Sequence, residues 1–221
     1  MLVEIACCNW ESCLNAVNGG AHRIELFENL PEGGCTPSYS LIEKANQLSI
    51  PVYVMIRPRG GNFVYTEDEF DMMKTDLLVC KRLGASGVVF GILTSAGEID
   101  VVRCRELLEI WQGPATFHRA FDEINHWDKG LQQLIELGFE RVLSSGQSES
   151  VDVGKNRLKE MIESAGANII VMPGCGVTAQ NAKQISEFCK NREIHATCKS
   201  FEKGYWVSDE TQIIQLVQLL S

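Results

Sequence analysis

The chain has 221 residues, 45% of them apolar and 22% charged, with nine cysteines and a formal net charge of −9. The apolar fraction excludes disorder, and the scattered Gly and Pro exclude collagen-like or low-complexity sequence. No apolar run approaches the roughly 20 residues of a bilayer span. The acidic balance speaks against a nucleic-acid surface, and the opening residues lack a basic stretch followed by an apolar one. The reading is a cytoplasmic globule with no nucleic-acid or membrane partner, long enough to bury a core of its own.

In chain order, a short pattern recurs. Gly20, Gly84, Gly138 and Gly166 each follow a helical stretch and precede an apolar, β-branched run. Glycine there suits the left-handed end of a helix that feeds a strand. The spacings approach multiples of one βα unit of roughly 25–32 residues. Eight strands are predicted, starting near Leu2, Arg23, Val52, Gly87, Ala115, Arg141, Asn168 and Glu193. Between them, Thr36-Pro37 reads as a helix cap followed by a first-turn proline. Phe70, Met73, Leu77 and Leu78 give Glu67–Leu83 a helical period, and Ile213, Ile214, Leu216, Val217 and Leu220 do the same for Glu210–Leu220. Eight even units predict a single-domain (β/α)8 TIM barrel, with an open doubly wound sheet as the alternative.

Side chains alternate along a strand, and the helix-facing set must be apolar. Val3 and Ile5 therefore face outward and Glu4 and Ala6 inward; likewise Arg23, Glu25, Phe27, Tyr53, Met55, Arg57, His118, Glu193, His195 and Thr197 face the interior. The barrel would hold Glu4, Glu25, Arg57, His118 and His195, where Val, Ile and Leu are usual. Such groups must pair, hydrate or bind something. Two readings stay open: an ion-pair network that fills the barrel, or a ligand site at the strand ends.

The loops add candidates. Arg57-Pro58-Arg59-Gly60-Gly61 offers two guanidinium groups for an anion. Ser145-Gly146 after the sixth strand, and Gly174-Cys175-Gly176 after the seventh, could bring backbone N–H groups to a phosphate. In His118-Arg119-Ala120-Phe121-Asp122, His118 and Asp122 read as an acid/base pair, with Arg119 between them. His22 and His126 read as surface residues. The cysteines, odd in number and with no C-x-x-C pair, read as reduced thiols. Cys7, Cys8, Cys35, Cys175 and Cys198 fall at or beyond strand ends, and Cys13, Cys80, Cys104 and Cys189 fall in helices.

Several of these strings together resemble the CutC family: Arg23-Ile24-Glu25-Leu26, the stretch from Glu32 to Ser38, Met55-Ile56-Arg57-Pro58-Arg59-Gly60-Gly61, Thr116 through Asp122, Arg141 through Gly146, and Met172-Pro173-Gly174. The resemblance implies a (β/α)8 barrel, a cytoplasmic homodimer or homotetramer, and a role in copper homeostasis. It also implies a pair of Cu(I) thiolates at the ends of the first two strands, where this chain has Ala6 and Phe27. Lys199 stands where an Arg is usual. Cys7, Cys35 and Cys198 are the thiols left to replace that pair, since soft thiolates suit Cu(I).

Three functions follow as expectations. One is copper homeostasis through copper ion binding at Cys7, Cys35 and Cys198. The second is an enzyme on a small anionic or phosphorylated metabolite. There Glu25, His118 and Asp122 would be catalytic, and Glu4, Arg57, Arg59, Arg119, Ser145, Gly146, Gly174, Gly176 and His195 would form the ligand site. The third is a sensor that binds in the same pocket without chemistry.

Overall fold

A computed structural model of the protein describes residues 1–221, the side chain of Glu202 excepted. Eight parallel strands carry the fold: β1 (Leu2–Cys7), β2 (Arg23–Leu26), β3 (Val52–Met55), β4 (Gly87–Phe90), β5 (Ala115–Phe117), β6 (Arg141–Ser144), β7 (Ile170–Pro173) and β8 (Glu193–Ala196). They are ordered β7-β6-β5-β4-β3-β2-β1-β8. The two end strands meet at a seam, where a Cβ on Gly174 would lie 3.3 Å from the His195 side chain. This is a nearly closed (β/α)8 barrel, not an open sheet. The helices outside it are α1 (Trp10–Asn18), α2 (Tyr39–Ala45), α3 (Glu67–Arg82), α4 (Val101–Trp111), α5 (Trp127–Leu137), α6 (Val151–Ala165), α7 (Ala182–Cys189) and α8 (Glu210–Leu220).

Local chemistry explains the helix ends. Thr66 and Glu69 form a reciprocal capping box on α3, whose first turn is acidic and last turn basic. Asp209 caps α8 by accepting from the Gln212 N–H at 2.8 Å. The expected cap at Thr36 does not form. α2 starts two residues after Pro37, and Thr36 instead accepts from the Arg57 N–H at 2.9 Å, tying the loop after β2 to the end of β3. β7 begins at Ile170, two residues later than predicted, because Asn168 still bonds back to Ala165 at the end of the preceding helix.

The core has two parts, as strand parity requires. Val3, Ile5, Ile24, Leu26, Val54, Val88, Phe117 and Val142 face the helices and form the main core. Ala6, Phe27, Tyr53, Met55 and Val89 form a smaller apolar group inside the barrel. Beyond β8 the chain adds an antiparallel hairpin, β9 (Lys199–Glu202) and β10 (Tyr205–Ser208), which the sequence reading did not include. Its turn residues Lys203 and Gly204 both have positive φ, 52° and 86°. That geometry matches a two-residue hairpin turn. The hairpin is fastened to the barrel by Asn9, which donates to the Trp206 carbonyl at 2.8 Å. No helix among the described residues is long and apolar enough to cross a membrane.

Candidate functional site

The barrel axis is charged from its floor upward. Arg23, Arg141 and Glu193 each open a strand, so they lie at the N-terminal end of the barrel. Arg23 pairs with both Glu4 and Glu193. Arg141 bonds Glu193 at 3.0 Å, and the Tyr53 ring lies 4.9 Å from both guanidinium groups. Desolvating these charges costs several kcal/mol each, so their mutual pairing offsets the cost of burial more than it adds stability. The network reading therefore holds for the lower barrel. Sequence reasoning placed Arg23 and Glu193 inside without giving them a role, and missed Arg141. Its position at the start of β6, in phase with the inward set, was the available signal.

One layer higher the charges change character. His195 donates from Nδ1 to Glu4 Oε1 at 2.7 Å and turns Nε2 toward Glu25 Oε2 at 3.7 Å. Burial alone would raise the Glu4 pKa, but the Arg23 charge and the bond from His195 hold it down at about 2. Burial pushes Glu25 up to about 7, with the Glu4 charge adding to the rise and His195 and Arg23 opposing it. Burial disfavours the charged form of His195, yet Glu25 and Glu4 outweigh it and raise its pKa. Glu25 Oε1 is buried without a hydrogen-bond partner among the described residues. A carboxylate poised near neutrality, next to an imidazole, is equipped to accept and return a proton.

Above this layer lies a cavity of about 730 Å³ at the C-terminal ends of the strands. Glu25, Arg57, His118 and His195 line its floor, Phe27, Met55, Phe63 and Leu143 its walls, and Arg119, Cys175, Cys198 and Lys199 are also in its lining. The C-terminal mouth is where barrels of this architecture place their sites. His118 Nδ1 accepts from the Ala120 N–H at 3.2 Å, so the neutral ring carries its proton on Nε2. Burial and the Arg57 charge push the His118 pKa down to about 3. Among the described residues its Nε2 has no hydrogen-bond partner, and neither has Arg57 Nε. The remaining Arg57 nitrogens bond the carbonyls of Glu32, Gly34 and Gly61 at 2.7–2.8 Å.

Several expected roles change in the structure. Asp122 does not orient His118; it sits in a five-residue 3-10 turn, Arg119–Glu123, that aims it at the next strand. Its carboxylate accepts from the Ser144 and Ser145 hydroxyls, the Ser145 and Gln147 N–H groups, and Arg119. Those backbone groups were the expected phosphate cradle, so the protein's own carboxylate fills it. The Gly146 N–H is likewise spent on Ser144 Oγ at 2.9 Å. Gly146 is small because Gly154 of α6 packs on it: a Cβ would sit 2.4 Å from the Gly154 carbonyl. Arg59 faces away from the cavity, bonded to Glu69 at 2.6 Å and to the Gly60, Asn62 and Val64 carbonyls. Gly174 has no room for a side chain because Leu143 and His195 press on it, while Gly176 does line the cavity. His22 and His126 are exposed, as expected.

The three candidate thiols are not assembled into a metal centre. Cys7 follows the outward parity of Val3 and Ile5, is fully buried in the main core, and donates to the Ser12 carbonyl at 3.4 Å. Burial raises its pKa, with Cys13 adding to the rise. Cys35 lies in the loop after β2, bridged to Glu28. Cys198 borders the cavity, and burial pushes its thiol up to about 12. A Cu(I) thiolate pair needs two deprotonated sulfurs facing one point, and these three do not fit it. The one grouping of three or more His, Cys, Asp or Glu ligand atoms among the described residues is Glu4, Glu25 and His195. Glu4 and His195 are already spent on each other and on Arg23, and carboxylate oxygens do not suit Cu(I).

The family model described as "CutC family" matches residues 1–200. The chain belongs to the CutC family. A human relative, named copper homeostasis protein cutC homolog, is 45% identical over 201 residues, spanning 90% of this chain and 74% of the relative. A CutC family protein of Histophilus somni (strain 2336) is 41% identical over 240 residues, spanning 99% of each. The crystal structure of a CutC protein from Streptococcus agalactiae superposes with a TM-score of 0.86 at 39% identity, covering 89% of this chain and 98% of that one. At the two positions where the family resemblance implies copper-binding thiols, the CutC barrel of this chain turns Ala6 and Phe27 toward the cavity.

Proposed function

We propose that this CutC-family barrel is an enzyme that binds a small anionic metabolite at its C-terminal mouth and moves a proton on it. The observation that carries the reading is Glu25: a buried residue that lines the cavity, with one oxygen unpartnered among the described residues and a pKa raised to about 7. Glu25 is the proton acceptor and donor. His195 shares that proton, and Glu4, held ionised by Arg23, fixes the His195 ring. Arg57 and Lys199 supply the positive charge that an anionic substrate needs, whereas Arg119 is ion-paired to Asp122 and Arg59 to Glu69. A thermal-unfolding screen of carboxylate and phosphorylated metabolites tests this. A ligand at a hundredfold excess over its Kd stabilises by about 2.7 kcal/mol, which is a Tm rise of roughly 5–10 °C for a chain of this size. Glu25→Gln should keep binding and lose turnover. No shift with any anionic class, or turnover that survives Glu25→Gln, would remove the reading.

A second reading is copper ion binding, which the relatives' names and the presence of Cys175, Cys198 and His195 around one cavity support. It gives this chain its part in copper homeostasis directly. An anaerobic Cu(I) titration against a chromophoric competitor tests it: stoichiometric binding lost in Cys198→Ser supports it, and binding no tighter than that of an ordinary thiol-bearing protein removes it. The cytoplasmic location and the homodimer or homotetramer belong to the same proposal, and sedimentation of the purified chain reads the latter.

A further inference from the structure

Three residues that line one cavity each carry a buried polar atom without a hydrogen-bond partner among the described residues, and together they describe what the cavity could hold: Glu25 Oε1, Arg57 Nε and His118 Nε2. One is a base and two are donors. Buried polar atoms are costly when unpaired, so the complementary ligand offers an acidic hydrogen to Glu25 and an acceptor oxygen to the other two. The donors are built to stay donors. The His118 ring is locked between the Ala120 N–H, Phe63 at 4.8 Å between centroids, and Gly91, where a Cβ would lie 2.6 Å from Nδ1. Arg57 is clamped by three carbonyls and stacked on Phe63 at 4.8 Å, and it has no carboxylate ion-pair partner among the described residues. Its positive charge is therefore available to an anion in the cavity. Phe27 and Met55 supply apolar wall around the same floor.

We propose that the substrate is a small enolisable carbonyl compound, a deduction that rests on the enzymatic reading above. The Glu25 carboxylate takes the proton from the carbon next to the carbonyl. The electron pair of that C–H bond forms the C=C bond, and the carbonyl π pair moves onto oxygen. The enolate oxygen is held by the Nε2–H of His118 and the Nε–H of Arg57, fixed dipoles placed where negative charge develops. Glu25 then returns the proton to the same carbon, which exchanges hydrogen. On an α-hydroxy carbonyl it can return it to the former carbonyl carbon, with the hydroxyl proton passing to the enolate oxygen, which isomerises the compound. Atoms and electrons balance within substrate and protein, and no oxidant or reductant is consumed.

The experiment uses the full chain in D₂O with pyruvate, dihydroxyacetone and dihydroxyacetone phosphate, and with their reduced counterparts lactate, glycerol and glycerol phosphate. Binding is read by ligand-observed NMR, and loss of the α C–H signal reads exchange. At least one carbonyl compound should bind more tightly than its reduced counterpart and lose its α hydrogens to solvent. Glycolohydroxamate, a planar enediolate mimic, should compete with it and bind at least tenfold more tightly. Glu25→Gln should slow exchange by roughly 10²–10⁴-fold and His118→Ala by about 10²–10³-fold, while Arg59→Ala exchanges at the wild-type rate. Should the reduced compounds bind as well as the carbonyls with no exchange seen, the substrate class is wrong and the enzymatic reading stands. Should neither set bind, the enolisable-carbonyl proposal falls, and the enzymatic reading falls with it only if the wider screen of anionic classes also gives no shift.

Discussion

Replacing Glu25 by glutamine should make the protein more stable, and only above mildly acidic pH. The folded state raises the Glu25 pKa from 4.5 to about 7, chiefly through burial. A carboxyl group with a raised pKa binds its proton more tightly when folded. The folded protein therefore loses stability as pH rises from about 4.5, where the unfolded chain ionises, to about 7, where the folded one does. At 1.36 kcal/mol per unit, the full cost is about 3 kcal/mol at pH 8 and less than about 1 kcal/mol at pH 5. Glutamine has the same shape and no charge, and it can donate to His195. Guanidinium unfolding of wild type and Glu25→Gln, followed by tryptophan fluorescence at both pH values, checks this. The variant should gain about 3 kcal/mol at pH 8, or roughly 6–12 °C in Tm, and little at pH 5. An offset independent of pH, or a wild type more stable than the variant at pH 8, would falsify the claim that Glu25 is ionised there at a cost.

Three further outcomes follow from the same geometry. Asp122→Ala leaves Arg119, the Ser144 hydroxyl and the Ser145 and Gln147 N–H groups without their carboxylate acceptor, and should cost about 2–4 kcal/mol in denaturant unfolding; a loss below about 1 kcal/mol would contradict that role for Asp122. Gly154→Ala should destabilise although alanine favours a helix by about 1 kcal/mol, because its Cβ would stand 1.8 Å from the Ser145 carbonyl; a rise in Tm would refute that packing. Ala6→Cys with Phe27→Cys should tighten Cu(I) binding at least tenfold in competitor titrations, since both positions face the cavity; unchanged affinity would mean the two positions do not converge.

Much of this site is legible in the sequence, because parity is a strong constraint. Val3 and Ile5 must face the helices, so Glu4 must face in, and the same argument correctly placed Glu25, His118 and His195. Parity also put Cys7 outside the cavity, where it lies. What sequence could not give was where each inward group spends its hydrogen bonds. Arg57 and Arg59 are two residues apart, yet one lines the cavity and the other is taken by Glu69 ten residues later. Asp122 is four residues from His118, but the short 3-10 turn carries it to the serines after β6. The hairpin after β8 was readable in principle from Lys203-Gly204, a dipeptide that accepts two positive φ angles, between two alternating runs.

Everything proposed for the cavity depends on Glu25 titrating near neutrality beside the paired Glu4, Arg23 and His195. A carboxyl-carbon NMR titration of protein labelled at glutamate Cδ, with Glu25→Gln to assign the resonance, measures it directly. Glu25 should show a transition close to pH 7, while Glu4 stays ionised down to about pH 2. A Glu25 resonance that titrates at the ordinary value near 4.5 would contradict it, and would return the upper barrel to a network that only fills space.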